Sequence, residues 1–268
     1  PKGFQVTLVA AEPRVVQPIA MCFDEKGRLW VVEGMSYPRK RGDGKGKDRI
    51  IILEDPLGDG SYGKSTVFYE GLDLVSGIEV GHGGVWIGAA PELLFIPKDA
   101  QDKPGKPRVV LDGWAMQDTH ETLNSFTWGP DGWLYGRVGI SSTSWIDVPG
   151  VEKEKRQPTA GGLWRYHPIK KIFEPYCHGT TNPWGSDWTK HHELLFINTV
   201  IGHGWQGIHG AHFKRMHGED PYPFVYELID QQADHYHWNT GKKWNDADGG
   251  RGGADDFGGG HAHVGMMI

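Results

Sequence analysis

The sequence predicts an all-β protein built as a β-propeller, here an incomplete ring of about four to five blades. Two observations lead to this fold class. The 268 residues include 40 glycines and 17 prolines, a composition typical of many tight turns between short strands. A hairpin-like phrase also recurs four times along the chain, and the residues between its copies contain further strand candidates.

The recurring phrase consists of an apolar strand, a turn with Asp or Gly, and a second strand with a central aromatic residue. In the first copy the alternation of Ile19, Met21 and Phe23 predicts one buried face. Asp-x-x-Gly or Pro-Asp-Gly then supplies the turn, where Gly adopts positive φ. The copies start 58, 48 and 58 residues apart. They are Ile19–Val32, Gly77–Gly88, Ser125–Gly136 and Pro183–Ile197.

The residues between the copies complete units of about four strands each, which is the pattern of a propeller blade. A β-sandwich with similar turns is the alternative. A fifth blade is expected to open at His261–Ile268, and a short helix is expected near Pro223–Gln232. The additional strand candidates are Arg49–Leu53, Ser65–Phe68, Leu93–Ile96, Arg108–Leu111 and Gly162–Tyr166.

The charge and hydropathy of the chain argue against nucleic acid as the main partner and against a membrane span. The formal net charge is −6, which argues against nucleic acid as the main partner. No apolar run is long enough to span a membrane. The two cysteines, Cys22 and Cys177, form no haem-attachment signature.

One long stretch of the sequence resembles a known family. Asp118-Thr-His-Glu-Thr-Leu-Asn-Ser-Phe-Thr-Trp-Gly-Pro-Asp-Gly-Trp-Leu-Tyr135 is similar to the bacterial membrane-bound dehydrogenase β-propeller family, which is related to the glucose/sorbosone (PQQ-type) dehydrogenases. Four further stretches resemble the same family in the right order. They are Gly3-Phe-Gln-Val-Thr-Leu-Val-Ala-Ala-Glu-Pro13, Gly81-His-Gly-Gly-Val85, Gly179-Thr-Thr-Asn-Pro-Trp-Gly185 and Gly258-Gly-Gly-His-Ala-His263.

The resemblance implies a six-bladed propeller in an exported protein, periplasmic or secreted, with a c-type haem domain further along the polypeptide as electron acceptor. It also implies pyrroloquinoline quinone (PQQ) chemistry on a sugar or alcohol substrate. On this interpretation residues 1–268 are a single β-propeller domain fragment, truncated at the C-terminal end, with the haem and other downstream domains absent.

The catalytic base is expected just before the third copy of the phrase. Soluble quinoprotein sugar dehydrogenases place His-Asn-Gly-Gly before Phe-Gly-Pro-Asp-Gly, and that His is the base. Here His120 stands nine residues before Gly129, Glu121 holds the aligned position, and the Gly-Gly is absent. Either His120 or Glu121 could act as general base. His82, between glycines, is a further catalytic candidate.

Cofactor ligands are predicted from residue type. PQQ carries three carboxylates, which suit the guanidinium of Arg137. Asn182 and Trp184 lie in a turn that feeds a strand, and the indole could stack on a flat cofactor or a sugar. We expect His82, His120, Asn182 and His261 to converge on one axial pocket, because propeller loops gather at the ends of the central channel.

Metal binding is the other chemistry that the sequence offers. The pairs His235/His237 and His261/His263 have i, i+2 spacing, so in a strand each pair presents two imidazoles on one side. Such pairs suit divalent metals such as Zn²⁺. The Asp-rich stretch 246–256 offers oxygen ligands for Ca²⁺.

The leading hypothesis for function is an exported oxidoreductase of the PQQ-type dehydrogenase class. It would act on a sugar or alcohol and pass electrons to a c-type haem domain. A metal-dependent hydrolase or lactonase-like propeller is the first alternative. A non-catalytic propeller that binds glycans or proteins is the second.

Overall fold

The computed structural model describes residues 3–42, 44–55, 58, 60–199, 204–232 and 264–268. The chain divides into two compact units, Pro1–Asp112 and Gly113–Ile268. Within the described residues the structure is nearly all β, and its helix content is one 3₁₀ turn at Lys153–Lys155.

The first unit contains two four-stranded antiparallel sheets, each formed by strands consecutive in sequence. Every strand therefore pairs with its neighbour in the chain, as in a propeller blade. Blade 1 comprises β1 (Pro18–Phe23), β2 (Leu29–Glu33), β3 (Asp48–Glu54) and β4 (Lys64–Leu72). Blade 2 comprises β5 (Val75–Gly81), β6 (Gly84–Ala89), β7 (Glu92–Pro97) and β8 (Arg108–Asp112).

The second unit contains two further blades and a short ribbon. Blade 3 comprises β9 (Asn124–Trp128), β10 (Leu134–Val138), β13 (Gly162–His167) and β14 (Ile172–Thr180). The ribbon of β11 (Ser144–Ile146) and β12 (Gln157–Thr159) is inserted between β10 and β13. In blade 4 the described strands are β15 (Asn182–Trp188), β16 (Leu194–Thr199) and β17 (Gly204–Gly207).

The four sheets confirm the predicted β-propeller. Each copy of the recurring phrase spans the first two strands of one blade. Within the first unit β1 contacts β5, and within the second unit β9 contacts β15. The first strands of neighbouring blades therefore lie side by side, which is the arrangement expected of inner strands.

Asp and Gly form the turns of the recurring phrase, as the sequence predicts. In blade 1 the Asp24 carboxylate accepts the backbone N–H groups of Lys26 and Arg28 at 3.0 and 2.9 Å, and Gly27 adopts a φ of 71°. In blade 3 the Asp131 carboxylate accepts the Tyr135 hydroxyl at 2.8 Å. An Asp at the start of the turn thus fastens the second strand of the hairpin to the first.

Each unit has an apolar core between its blades. In the first unit Trp30, Ile50 and Ile52 of blade 1 pack with Ile78 and Ile87 of blade 2. In the second unit, buried residues of blades 3 and 4 form the corresponding cluster. Its members include Tyr135, Leu163, Cys177, Leu194 and Phe196.

The structure departs from the sequence prediction at residues 204–232. The predicted helix near Pro223–Gln232 is wrong, because this segment has no helical residue. The backbone of Ile229 is paired with another segment, since its N–H donates to the His212 carbonyl and its carbonyl accepts the Lys214 N–H, both at 2.9 Å. The chain instead forms β18 (His212–Arg215), which adds to β14 in parallel and gives blade 3 a fifth strand. The prediction of four antiparallel strands per blade therefore fails at this edge.

No helix in the described ranges is long and apolar enough to cross a membrane.

The Asp24 turn yields a stability prediction. Asp24 is buried, and besides the two backbone donors its carboxylate accepts Arg28 Nε at 2.7 Å and the Trp30 indole at 2.9 Å. Asp24→Ala leaves the buried indole N–H without an acceptor, so we expect a loss of about 2–4 kcal/mol in unfolding free energy. Urea unfolding followed by tryptophan fluorescence measures it.

The matched control is Asp99→Ala. Asp99 is exposed and caps a turn in the same way, through the N–H groups of Gln101 and Lys103. Its loss should cost about 1 kcal/mol or less. Equal losses for the two variants would contradict the role assigned to Asp24.

Candidate functional site

Two predicted site residues lie at the same end of the blades in the second unit. Glu121 precedes β9, and Asn182 begins β15. The chain that leaves β10 links them, since the Gly139 N–H donates to the Glu121 carbonyl at 2.8 Å and the Ile140 N–H donates to the Thr181 carbonyl at 2.9 Å. The loop before one inner strand is therefore tied, through two backbone hydrogen bonds, to the start of the next.

The side chain of Glu121 is enclosed at this end. It is 2% exposed, and Oε1 accepts the Ser141 N–H at 2.6 Å. Oε2 is buried and has no hydrogen-bond partner. A Cβ at Gly139 would lie 2.2 Å from the carboxyl carbon of Glu121, so glycine is required there to admit the carboxyl group.

The environment of Glu121 changes its titration. Burial raises the pKa of Glu121 to about 7, and the charge of Asp118 acts in the same direction. The Ser141 N–H opposes both, because it stabilises the carboxylate. A carboxyl group with a pKa near neutrality is suited to accept a proton from a substrate at physiological pH.

Arg137 is the second unusual group. It lies in β10 and is fully buried, and none of its three side-chain nitrogens has a hydrogen-bond partner. Burial lowers the pKa of Arg137 to about 9. Tyr135 lies two residues earlier, on the same face of β10, and Leu163 of β13 is the register partner of Arg137. Both Tyr135 and Leu163 belong to the apolar cluster between blades 3 and 4. An unpaired guanidinium in such surroundings is costly and calls for an explanation.

The sequence predicts Asn182 and Trp184 in a turn that feeds a strand, but the structure places both within the strand β15 itself. The Asn182 carbonyl accepts the Thr199 hydroxyl at 3.2 Å, whereas its side-chain oxygen is buried without a partner. Trp184 is half-buried, and its carbonyl accepts the Gly265 N–H at 2.9 Å. Residues 264–268 thus run beside the inner strand of blade 4.

The other histidine candidates are placed differently. His120 is exposed, although Glu121 beside it is buried. The backbone N–H of His120 donates to Asp118 Oδ1 at 2.9 Å. His82 occupies the β5–β6 turn with a φ of 52° and is exposed. It follows the inner strand of its blade, whereas Glu121 precedes β9 and Asn182 is the first residue of β15.

The predicted metal ligands His235, His237, His261 and His263 lie outside the described residues. Within the parts of the chain that the structure describes, no group of three or more His, Cys, Asp or Glu residues is placed to hold a metal ion.

One polar cluster was not predicted from the sequence. The His178 and His212 rings stack at 4.5 Å, and His212 Nδ1 lies 2.8 Å from Asp220 Oδ2. The Tyr222 ring lies 4.4 Å from His178. Burial and the neighbouring His212 lower the pKa of His178 to about 4. The parallel pairing of β18 with β14 creates this cluster, and no sequence period signals a parallel edge strand.

The protein is a β-propeller with unpaired buried polar groups at one end of blades 3 and 4. Residues 1–237 match the family described as "Domain of unknown function (DUF7133)", and the chain belongs to this family. No curated protein matches the chain.

Two solved structures share the fold. The chain is similar to the PQQ domain of pyranose dehydrogenase from Coprinopsis cinerea, with a TM-score of 0.55 and 14% identity over 82% of this chain and 50% of that one. It is also similar to the PQQ-bound aldose sugar dehydrogenase from Streptomyces coelicolor, with a TM-score of 0.53 and 16% identity over 82% of this chain and 68% of that one. The chain spans about half the length of the first of these.

Glu121 makes a prediction for pH-dependent stability. Its pKa is raised from 4.5 to about 7 in the folded protein, so the folded state binds a proton more tightly than the unfolded state. The contribution of Glu121 to stability is therefore complete below about pH 4.5 and is lost as the pH rises to about 7. Glu121→Gln should remove this loss. Relative to wild type, the unfolding free energy of the variant should therefore increase by about 1–3 kcal/mol between pH 4.5 and pH 8.

Urea unfolding at a series of pH values measures the difference. Burial raises the pKa of Glu79 to about 7 as well, but Glu79 is present in both proteins and cancels. The exposed Glu25 supplies the control, since Glu25→Gln should follow the wild-type curve. A Glu121→Gln curve parallel to wild type would contradict the burial of an ionisable group at this position.

Proposed function

We propose that this domain is the catalytic propeller of a PQQ-dependent dehydrogenase that oxidises a sugar or alcohol. The observation that carries the proposal is the buried Glu121 carboxyl group, which has one unpartnered oxygen and a pKa of about 7. The resemblance of the fold to PQQ-binding sugar dehydrogenases supports it. We further propose that the protein is exported to the periplasm or secreted and that a c-type haem domain accepts the electrons.

Glu121 is the proposed general base. Oxidation of a hydroxyl-bearing carbon releases one proton from the hydroxyl group, and Glu121 Oε2 is the oxygen free to take it. The Ser141 N–H holds Oε1 and so orients the carboxyl group. His120 is exposed beside it and is not required for this step.

Three side chains of the site support PQQ as the cofactor. The cofactor carries three carboxylates, and the buried guanidinium of Arg137 has no other partner for its charge. Asn182 contributes an unpartnered amide oxygen, and Trp184 offers a half-buried ring for stacking. When bound, PQQ would supply the acceptor for the two electrons that the substrate loses.

Dye-linked oxidation tests the proposal. The full-length protein, incubated with PQQ and Ca²⁺, should reduce a dye with a panel of sugars and alcohols, and should not do so without PQQ. Glu121→Gln should lower kcat by roughly 10²–10⁴-fold, because the base is removed. His191→Ala, a change at an exposed histidine in the β15–β16 turn, is the control and should leave kcat within about 2-fold.

Two outcomes would reject the assignment. A loss of activity in His120→Ala with full activity in Glu121→Gln would move the base to His120. No dye reduction across the panel, together with no binding of PQQ, would reject the dehydrogenase and favour a hydrolase or a binding propeller.

A further inference from the structure

The outer edge of blade 3 carries a second group of polar side chains. Because β18 pairs with β14 in parallel, His212 lies opposite His178 and Arg215 lies opposite Thr180. Backbone hydrogen bonds secure this edge, among them the His178 N–H to the Ala211 carbonyl at 2.9 Å. The pairing therefore places a guanidinium next to the last residues of β14.

The Arg215 guanidinium has one nitrogen in a hydrogen bond and one buried nitrogen without a partner. Nη1 donates to the carbonyl of Ala160. Nε is buried and has no hydrogen-bond partner, and Nη2 donates to no residue in the described ranges. The Nε–Nη2 edge carries two parallel N–H groups, which is the geometry that binds both oxygens of one carboxylate.

Two further unpartnered groups belong to the same pair of strands. Thr180 is 1% exposed, and its hydroxyl has no partner. His178 is 5% exposed, and its Nδ1 has no partner. Buried donors are hydrogen-bonded in the great majority of proteins, and each one left unpaired costs about 1–3 kcal/mol. Arg215 Nε, the Thr180 hydroxyl and His178 Nδ1 are thus three unpartnered groups on two neighbouring strands, and a ligand with acceptor oxygens would satisfy them.

The nearest carboxylate does not fill this role. Asp220 Oδ2 is 2.8 Å from His212 Nδ1, and Asp220 Oδ1 accepts the Tyr222 N–H at 2.9 Å. Asp220 forms no ion pair with Arg215 among the described residues. The charge of Asp220 still acts on Arg215 and opposes the lowering of its pKa by burial, but it makes no direct ion pair, so the guanidinium remains able to bind another carboxylate.

We propose that Arg215, Thr180 and His178 form a binding site for the carboxylate group of a small molecule. In this site the Nε–Nη2 edge of Arg215 holds the two carboxylate oxygens, and the Thr180 hydroxyl and the His178 imidazole donate to them. A single guanidinium matches a planar monoanion better than a phosphate dianion, which would require more positive charge. The site does not depend on PQQ or on dehydrogenase activity.

Binding at this site should be coupled to a proton. His178 is neutral at pH 7, because burial and the His212 ring lower its pKa to about 4, with Arg215 acting in the same direction and Asp220 in the opposite one. A carboxylate beside the imidazole favours its charged form and raises its pKa. The complex should therefore take up protons and bind more tightly as the pH falls from 7 to 5.

Isothermal titration calorimetry of the whole chain, without PQQ, tests the proposal. Glucuronate is the probe, glucose is its neutral counterpart, and inorganic phosphate tests for a general anion site. We expect saturable binding of glucuronate alone, with affinity rising at lower pH. Arg215→Lys keeps the charge but loses the two-donor edge and should weaken binding at least about 10-fold. Lys214→Ala, a change in the exposed ion pair with Asp230, should leave it within about 2-fold.

A second variant separates binding from folding. His178→Phe retains a ring to stack between His212 and Tyr222 but removes the donor, so it should weaken binding and abolish the dependence on pH. Thermal unfolding without ligand shows whether each variant is folded. Equal affinity for phosphate, unchanged affinity in a folded Arg215→Lys protein, or no binding of glucuronate to wild type would each overturn the proposal.

Discussion

Burying a polar group without a hydrogen-bond partner costs free energy, and this cost constrains the buried polar side chains of both units. In the first unit the buried carboxylates meet donors: Glu33 Oε1 accepts the Val16 N–H at 2.7 Å, and Asp48 Oδ2 accepts the Val75 N–H at 2.8 Å. In the described part of the chain, the buried side-chain polar atoms that lack a hydrogen bond lie in the second unit, apart from Arg28 Nη2. Arg28 Nη2 is itself 2.7 Å from Asp24. Among the described residues, unpaired groups are thus concentrated in the second unit, where the candidate sites lie.

This contrast separates scaffold from site. Asp24 and Asp131 fasten hairpins, and their hydrogen bonds are satisfied within the blade. Arg137 on β10 and Glu121 in the loop before β9 instead keep free donors or acceptors inside the protein. Proteins tolerate such groups where a ligand or a reaction uses them, because the same side chains lower stability when nothing binds.

The sequence predicted the blades because their turns and strands are local features. Asp-x-x-Gly and Pro-Asp-Gly turns followed by aromatic strands mark β1–β2 and β9–β10 directly. Long-range pairing is not visible in a local pattern, so the parallel strand β18 and its contact between His178 and His212 could not be predicted. The same limit applies to His120 and Glu121. Both occupy one loop, and only the fold determines that Glu121 is buried and His120 is exposed.

Substitution of Arg137 tests most directly whether the unpaired groups exist for a ligand. Arg137→Leu removes a buried unpaired charge from an apolar layer, so unfolding free energy should stay the same or rise by about 1–4 kcal/mol. PQQ affinity, followed by tryptophan fluorescence, should fall at least about 10-fold. Arg108→Leu, at an exposed arginine on β8, is the control. A destabilised Arg137→Leu protein that binds PQQ as tightly as wild type would show that Arg137 serves the fold and not a ligand.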